Sequence, residues 1–497
     1  MKHRLGTIGC VAMTLALAAC AARPPAGEAV FDAVNARVEA CRDLYRSVDA
    51  RTEAAGVADG QSARIDGFPY LRIERFFAAD AVKPAADGDD FEAWVRHLQA
   101  LDRRARHFEL QNLPADLRSE LGADVAGRLS ACADVLIDAV LDSPDDRKVL
   151  LENARVLDDY SIAKRVFGLY PFTSVPFISG VEAYQKSTRE EFDRSLDALA
   201  VAGRLVRYVP PPAPAPAPIA APALEAKLRG AQREPLGMPS LSALERERLL
   251  ETFAPVYEID VVDDNDRIGA PFWADDGNPS VDVRRPVVFG RVAHTRFEGR
   301  TLVQLVYSAW FPSRPAEGDF DMLSGRLDGI TLRITLAADG RPLMYDSMHN
   351  CGCYHMFVPT TRLRERPPSG RYEEPPLVPQ RVSPGPGRVV LRLAHRTHYL
   401  QRLYFDDQVS AGQAYSIADD DSLRSLPKAH GQRRSLFEPD GLVRGTERGE
   451  RWFFWPMGIA EPGAMRQWGR HATLFVGLRH FDDADLIERY FVSTGND

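Results

Sequence analysis

The amino-acid sequence predicts a multidomain α+β protein, built as an N-terminal helical bundle, a Pro-rich linker and a C-terminal antiparallel β domain. Three observations carry this prediction. Apolar residues recur at helical spacing through residues 30–208. A proline-rich segment at residues 209–224 then interrupts every regular pattern. Beyond it, the apolar period switches to two and turn residues join the runs into hairpins.

The helical domain is assigned to residues 30–208. Its apolar residues recur every three or four positions in three runs, which are Val30–Val48, Phe91–Leu101 and Leu117–Val140. Ser187 and Glu190 have the spacing of a capping box and predict the start of a further helix running through Leu199. Cys41 and Cys132 both lie on apolar stripes, so they can meet across the core. The sequence leaves open whether they form a disulfide or stay as separate buried thiols.

The linker is assigned to residues 209–224. Proline recurs through it from Pro210 to Pro222, often alternating with alanine. Because proline lacks a backbone N–H and clashes with a preceding helical turn, we expect an extended polyproline II spacer of limited flexibility. After the linker, Ser242 and Glu245 form a second capping box, which predicts a short helix.

The β-rich domain is assigned to residues 225–497. Apolar and polar residues alternate over Ile330–Leu336, and Asp339-Gly340 is a hairpin turn into a strand that starts near Leu343. A second hairpin joins two runs across Glu298-Gly299. The other strand candidates are Pro286–Phe297, Thr301–Phe311, Val389–Ala394, Tyr399–Phe405, Trp452–Trp455 and Ala472–Leu478. Successive hairpins predict an antiparallel sheet, stacked as a sandwich or closed into a barrel.

Composition narrows the classes of partner. The net charge of −8 argues against nucleic acid, because phosphate binding needs a basic surface. Hydrophobic residues at 45% and charged residues at 27% are ordinary for a globular protein. After the first few residues, no apolar stretch is long enough to predict a membrane-spanning helix.

The start of the chain is typical of a bacterial secretion signal. Lys2 and Arg4 supply positive charge, and Leu5–Ala19 is apolar or small throughout. That stretch is too short for a permanent membrane-spanning helix but has the length of a signal-peptide core. We therefore expect the chain to be exported, and its cysteines to meet an oxidising compartment.

The end of this signal, Leu17-Ala18-Ala19-Cys20, resembles the lipobox of bacterial lipoproteins. The resemblance implies that residues 1–19 are removed, that Cys20 is acylated and that the lipid bilayer is a partner through this residue. Residues 20–29 then form a tether. Ala21 stands where a signal for retention in the inner membrane would place Asp, which implies the outer membrane, facing the periplasm or the cell surface.

One segment concentrates side chains with site chemistry. His349, Cys351, Cys353 and His355 alternate over seven residues, and His395 with His398 follows a strand candidate. On a straight strand the first four side chains would spread too far apart for a single ion. A turn at Gly352 would fold them inward.

Three interpretations of this cluster stay open. Two sulfurs and two imidazoles suit zinc or copper, although the spacing matches no zinc-finger pattern. Two cysteines one residue apart also form a small disulfide that is readily reduced, which predicts thiol redox chemistry. The third interpretation is structural: a disulfide staples the turn, and the histidines satisfy nearby backbone groups.

A second concentration lies near the C-terminus, where Arg466, Trp468, Arg470 and His471 follow one another closely. Interleaved arginine and tryptophan bind glycans or anions by stacking and forked hydrogen bonds. The same residues can equally form a packed core in which the arginines pair with acidic neighbours.

Two classes of function follow. The first is a non-catalytic, outer-membrane-anchored envelope protein that binds a cell-wall, glycan or protein partner. The second is a metal- or thiol-dependent envelope enzyme, or a metal carrier, that uses the segment from His349 to His355. Phosphate-binding, nucleophile-elbow, His-Glu-x-x-His and dinucleotide signatures are not found in the sequence, which therefore leaves open whether the chain is an enzyme.

Overall fold

The computed structural model describes residues 36–211, 221–367, 374–408 and 411–495. The predicted signal, Cys20 and the tether lie outside the described residues, as does most of the proline run. Helices account for 36% and strands for 26% of the chain, which confirms the α+β class and excludes an all-α or all-β protein. The division into separate domains stays a prediction.

Helices dominate the first part of the described chain. They are α1 (Ala36–Ala54), α2 (Arg75–Ala78), α3 (Phe91–Asn112), α4 (Ala115–Glu120), α5 (Val125–Asp142), α6 (Pro144–Asn153), α7 (Ile162–Phe167) and α8 (Tyr170–Phe192). A small hairpin, β1 (Ala63–Ile65) with β2 (Phe68–Ile73), is inserted between α1 and α2. The run predicted as one helix over Leu117–Val140 is divided into α4 and α5, because Gly122 takes a positive φ of 80° between them.

The apolar faces of these helices share one core. Val38, Cys41, Tyr45 and Val48 of α1 are buried against residues of α3 and α5. Cys41 and Cys132 form a disulfide with an S–S distance of 2.06 Å, so the structure answers the question that the sequence left open.

The sequence prediction is wrong at the end of the helical range. Ser187 lies inside α8 and therefore cannot cap a helix that starts there. Residues Arg204–Val209 form strand β3 instead of helix, because their backbone pairs antiparallel with β4 (Val256–Val261). Helix α9 (Ala221–Gly230) begins inside the predicted linker range. The second capping box is confirmed: Ser242 caps α10 (Ala243–Phe253) reciprocally with Glu245.

The remaining elements are mostly strands. They are β5 (Ala270–Trp273), β6 (Pro279–Asp282), β7 (Val287–Phe297), β8 (Arg300–Arg314), β9 (Gly325–Leu336), β10 (Pro342–His349), β11 (Met356–Pro359), β12 (Leu363–Glu365), β13 (Arg388–Leu393), β14 (Leu400–Asp406), β15 (Gln413–Ala414), β16 (Ser416–Asp419), β17 (Leu426–Pro427), β18 (Arg433–Arg434) and β19 (Phe491–Ser493). Two short helices, α11 (Arg451–Phe454) and α12 (Leu486–Tyr490), interrupt the last part of the chain.

Two sheets organise these strands. The larger has the order β11-β10-β9-β8-β7-β16, and the second has the order β14-β13-β4-β3-β15. Both predicted hairpins are confirmed, β7 with β8 and β9 with β10. Apolar residues from both sheets, such as Ile259 and Leu391 of the second and Leu332 of the first, share one core.

Three predictions about the strands are wrong. The sheets are not purely antiparallel, because β13 pairs parallel with β4, β15 with β3, and β16 with β7. Trp452–Trp455 is not a strand, since most of it forms α11. Within Ala472–Leu478 only an isolated bridge forms, from Ala472 to His480. Among the described residues, no helix is long and apolar enough to cross a membrane.

Candidate functional site

A tight turn between β10 and β11 carries the two cysteines outside the disulfide. The His349 amide donates to the Cys353 carbonyl at 2.9 Å, and the Gly352 amide donates to the His349 carbonyl at 2.7 Å. Gly352 has a φ of 92°, and a Cβ there would lie 2.6 Å from the Ala472 carbonyl oxygen, so glycine is required. The turn brings the thiols of Cys351 and Cys353 into hydrogen-bonding contact.

Three of the predicted histidines lie against two carboxylates, those of Asp328 and Asp346. His398 Nδ1 lies 2.8 Å from Asp328, and His349 Nδ1 lies 3.5 Å from the other oxygen of the same carboxylate. His355 Nε2 lies 2.9 Å from Asp346, on the other side of the turn.

The fourth histidine, His395, is half-exposed, with Nδ1 3.8 Å from Asp260. The structure therefore does not bring the predicted zinc or copper ligands together. In the described part of the chain, no group of three or more His, Cys, Asp or Glu side chains has a metal-binding arrangement.

Asp328 is the charged centre beneath the turn and is fully buried. Burial alone would raise its pKa, but the Arg448 guanidinium at 3.1 Å and the two imidazoles hold that pKa well below its usual range. Burial, together with the nearby His398 and Arg448, lowers the pKa of His349 despite the opposing effect of Asp328. The pKa of His398 is raised, because the carboxylates of Asp266 and Asp328 outweigh burial. We call this array of alternating carboxylates and basic side chains the relay.

The backbone around this relay is strained. Ten described non-glycine residues have positive φ, and four of them lie in or beside the site: Leu327, Tyr354, Arg396 and His398. Each such conformation costs about 1–3 kcal/mol and persists only where surrounding contacts enforce it. Phe311 provides one such contact, since its ring stacks on His398 with centroids 3.9 Å apart.

A pocket of about 530 Å³ opens beside the turn. One of its walls is a single face of α8, formed by residues four apart along the helix, which are Pro176, Phe177, Gly180, Val181, Tyr184 and Gln185. Cys351, Cys353, Tyr354 and His355 line another side. Phe454, Leu474 and Phe475 add apolar surface, so the pocket is largely hydrophobic and aromatic.

Two polar groups in the pocket lining keep unused hydrogen-bonding capacity. Arg479 donates to the side chain and carbonyl of Thr473, yet among the described residues nothing accepts from its Nη1. His355 uses Nε2 on Asp346, and its Nδ1 has no partner in that same part of the chain. Burial lowers the pKa of His355 to about 4, so its ring is neutral at pH 7. Both atoms are fully buried, so they lie behind the surface of the pocket rather than on it.

The predicted glycan or anion set is largely occupied by the protein itself. Arg466 is buried and donates to the Cys351 carbonyl at 3.1 Å. Arg470 pairs with Asp159 at 2.9 Å, and His471 is buried against the Asn350 carbonyl. Trp468 is half-buried beneath Arg291. These contacts follow the packed-core alternative.

Sequence reasoning did not find Asp328 or the pocket itself, and it did not place Arg479 beside His355. Asp328 lies 70 residues from His398, and Arg479 is more than 120 residues from His355. No local spacing links such residues, because only the folding of distant segments brings them together. Asp266 closes the acidic run Asp263-Asp264-Asn265-Asp266, which forms a short 3₁₀ turn.

No protein-family description, no curated protein and no solved structure matches this chain.

Proposed function

We propose that the chain is an outer-membrane-anchored lipoprotein of the bacterial envelope that binds a small amphipathic molecule in the pocket beside Cys351 and Cys353. The observation that carries this proposal is a hydrophobic pocket of about 530 Å³ with Arg479 in its lining. Pockets of this size and lining are typical of small-molecule sites. Acylation of Cys20 is proposed from the lipobox resemblance.

The lining defines the chemistry of the ligand. The aromatic and aliphatic walls match an apolar body, which leaves water at a gain of about 25 cal/mol per Å². Arg479 lies in the pocket lining, and its guanidinium would pair best with a carboxylate or phosphate oxygen once the buried Nη1 turns toward the ligand. A cell-wall, glycan or protein partner would have to bind elsewhere on the surface, and none is needed for this function.

Two water-soluble probes test the binding proposal on the full chain. Octanoate and octan-1-ol share an apolar body and differ in the anionic group. We expect octanoate to raise the melting temperature by about 2 °C at concentrations some tenfold above its Kd, and octan-1-ol to raise it less. Arg479→Met should remove the difference between the probes.

Gly180 offers a matched variant for the same experiment. It lines the pocket, and a Cβ added there would meet nothing within 4 Å among the described atoms. The side chain of Gly180→Leu therefore starts into open space beside the pocket, and by narrowing the pocket it should reduce the response to both probes. If wild type and Gly180→Leu respond equally, the pocket is not the binding site and the proposal fails.

A second candidate function, thiol redox catalysis, is favoured by one observation: both thiols line the pocket and contact each other. The hydrogen bond from Cys353 lowers the pKa of Cys351, while the pKa of Cys353 is raised well above its usual range. Cys351 would attack a substrate disulfide, forming a mixed disulfide and releasing the first substrate thiol. Cys353 would then attack the mixed disulfide and release the second substrate thiol. The products are a Cys351–Cys353 disulfide and two substrate thiols.

Thiol titration after equilibration with glutathione buffers tests this candidate. A redox enzyme should gain and lose two titratable thiols reversibly, and Cys353→Ser should trap the mixed disulfide. Thiols that resist oxidation, or a disulfide that resists reduction, would exclude this candidate. Elemental analysis of the same samples tests the metal alternative: stoichiometric metal that disappears in a Cys351→Ser, Cys353→Ser double variant would support it.

A further inference from the structure

Large apolar side chains stand exposed on α7, on the start of α8 and on α11. Phe167 is 74% exposed, Phe172 77% and Trp452 70%. Ile162, Leu169 and Phe453 add to the same region. We call these six residues the α7–α11 surface. None of the residues of α7 is buried against the described structure, although four of the six are apolar.

The elements that carry the α7–α11 surface contact one another. Helix α7 lies against the turn that follows α11, where Arg165 Nε donates to the Met457 carbonyl at 2.8 Å. The Ser161 amide also donates to the Gly458 carbonyl at 2.8 Å. Helix α8 joins the same region, because the centroids of the Phe177 and Phe454 rings lie 5.3 Å apart. Exposed apolar side chains gathered on neighbouring elements mark a contact with a membrane or a protein.

We propose that the α7–α11 surface inserts into the lipid bilayer next to the acylated Cys20, and that the pocket draws its amphipathic ligand from that bilayer. This inference rests on the proposed anchoring and on the proposed ligand binding. It adds the source of the ligand and the orientation of the body on the membrane.

The length of chain before the described residues favours lipid over other occupants. Ala36 lies 16 residues after Cys20. Even fully extended, that stretch spans at most about 55 Å, so an acylated Cys20 keeps α1 within that distance of the bilayer. A body tethered in this way meets lipid at a far higher effective concentration than it meets any soluble partner.

The chemistry of the surface fits the same occupant. Tryptophan and phenylalanine are the residues that short interfacial helices bury at the boundary between headgroups and acyl chains. Lys164 and Arg451 lie on α7 and α11, where their cationic groups can meet lipid phosphates.

The position of the pocket connects this surface to the proposed ligand. Phe177 and Phe454 line the pocket as well as joining α8 to α11. Insertion of the α7–α11 surface therefore places this wall of the pocket at the membrane. An amphiphile could then move between the bilayer and the pocket with its apolar part kept out of water.

Tryptophan fluorescence of the full lipidated chain in phosphatidylcholine vesicles tests the inference. Trp452 is 70% and Trp455 38% exposed, whereas Trp94, Trp273 and Trp310 are buried. Lipid brominated on its acyl chains should quench the emission of the wild type. Trp452→Phe with Trp455→Phe should lose that quenching.

Two further variants separate insertion from simple tethering. Phe167→Ser with Phe172→Ser should weaken the quenching, since each lost aromatic side chain lowers partitioning into lipid by about tenfold. Leu244→Ser, on the exposed start of α10, is the control and should leave it unchanged.

The outcomes distinguish this inference from the proposals beneath it. Equal emission in brominated and ordinary vesicles, with Cys20 shown by mass spectrometry to be acylated, overturns the inference and leaves the anchoring intact. A detergent-solubilised dimer that Phe172→Ser dissociates assigns the surface to a second copy and also overturns it. Quenching without any octanoate response supports the membrane contact while the ligand proposal fails.

Discussion

Buried charged groups have more complete sets of hydrogen bonds in the helical core than beside the pocket. In the helical core, Arg72 is fully buried and uses all three nitrogens: Nε on Asp102 at 3.2 Å, Nη2 on Glu109 at 2.6 Å and Nη1 on the Asp59 carbonyl at 3.2 Å. Arg106 is equally complete, with Asp102 and Asp49 as carboxylate partners. Every guanidinium nitrogen of Arg72 and Arg106 is paired, and in that sense we call the network closed, although Glu109 Oε2 has no hydrogen bond among the described residues. A network of this kind serves stability.

Beside the pocket the corresponding groups are left incomplete. Among the described residues, neither ring nitrogen of His349 has a well-formed hydrogen bond, and Arg479 and His355 each keep one atom without a partner. The cysteines differ in the same way, since Cys41 and Cys132 are bonded whereas Cys351 and Cys353 remain thiols. Such incompleteness costs stability, which indicates that these groups are retained for binding or chemistry.

Arg72→Met tests the closed network and has the largest expected effect. The variant leaves Glu109 and Asp102 buried with one counter-charge fewer, and breaking a buried ion pair in this way costs about 3–5 kcal/mol of unfolding free energy. Urea unfolding measures this loss. Arg46→Met is the control: Arg46 pairs with Asp43 at the surface, and we expect a loss of no more than about 1 kcal/mol. Similar losses in both variants would mean that the network adds no stability of its own.

His355→Gln tests the pocket side through its pH dependence. The pKa of His355 is lowered to about 4, whereas the unfolded chain binds the proton near pH 6.5, so the unfolded state takes up more protons in between. Stability is therefore complete above about pH 7 and falls as the pH drops from 6.5 towards 4. Between pH 7 and pH 5, His355 should account for about 2 kcal/mol of lost unfolding free energy.

The measurement is a comparison of urea unfolding at those two pH values. His355→Gln should lose about 2 kcal/mol less than wild type over that interval, whereas the exposed His430→Gln should behave like wild type. The pKa values of buried His294 and His471 are also lowered, so these residues add to the loss of unfolding free energy between the two pH values. Their contribution is the same in wild type and variants, and it cancels when the losses are subtracted. An unchanged loss in His355→Gln would show that this ring is protonated in the folded state.

Local signals in the sequence predicted local structure well. Asp339-Gly340 and Glu298-Gly299 fixed two hairpins, because both turns need residues that tolerate positive φ. The aromatic run Trp452–Trp455 led to the wrong prediction of a strand, because aromatic residues are enriched in strands. Its residues form a helical turn that lies at the surface, where aromatic composition reflects an exposed apolar cluster rather than a sheet.

Only the part of the site formed by residues close together in sequence could be predicted. The turn at Gly352 was expected, and it does fold Cys351 and Cys353 together. The metal interpretation required the histidines to join them, yet His355 binds Asp346 and His398 binds Asp328. Each of these buried imidazoles hydrogen-bonds to a carboxylate that lies close to it in the fold. The positions of those carboxylates depend on pairing between strands that are far apart in sequence.

Gly180→Ala has the smallest expected effect and compares the helix over the pocket with the cysteine turn. Gly180 lies inside α8 with open space around its Cα, so a methyl group should raise the unfolding free energy by about 0.5–1 kcal/mol by restricting the unfolded chain. Gly352→Ala is the opposite control and should lower stability, because φ is 92° and the Ala472 carbonyl occupies the space. If Gly180→Ala also lowered stability in urea unfolding, α8 would need a conformation other than a regular helix, and a fixed wall over the pocket would have to be abandoned.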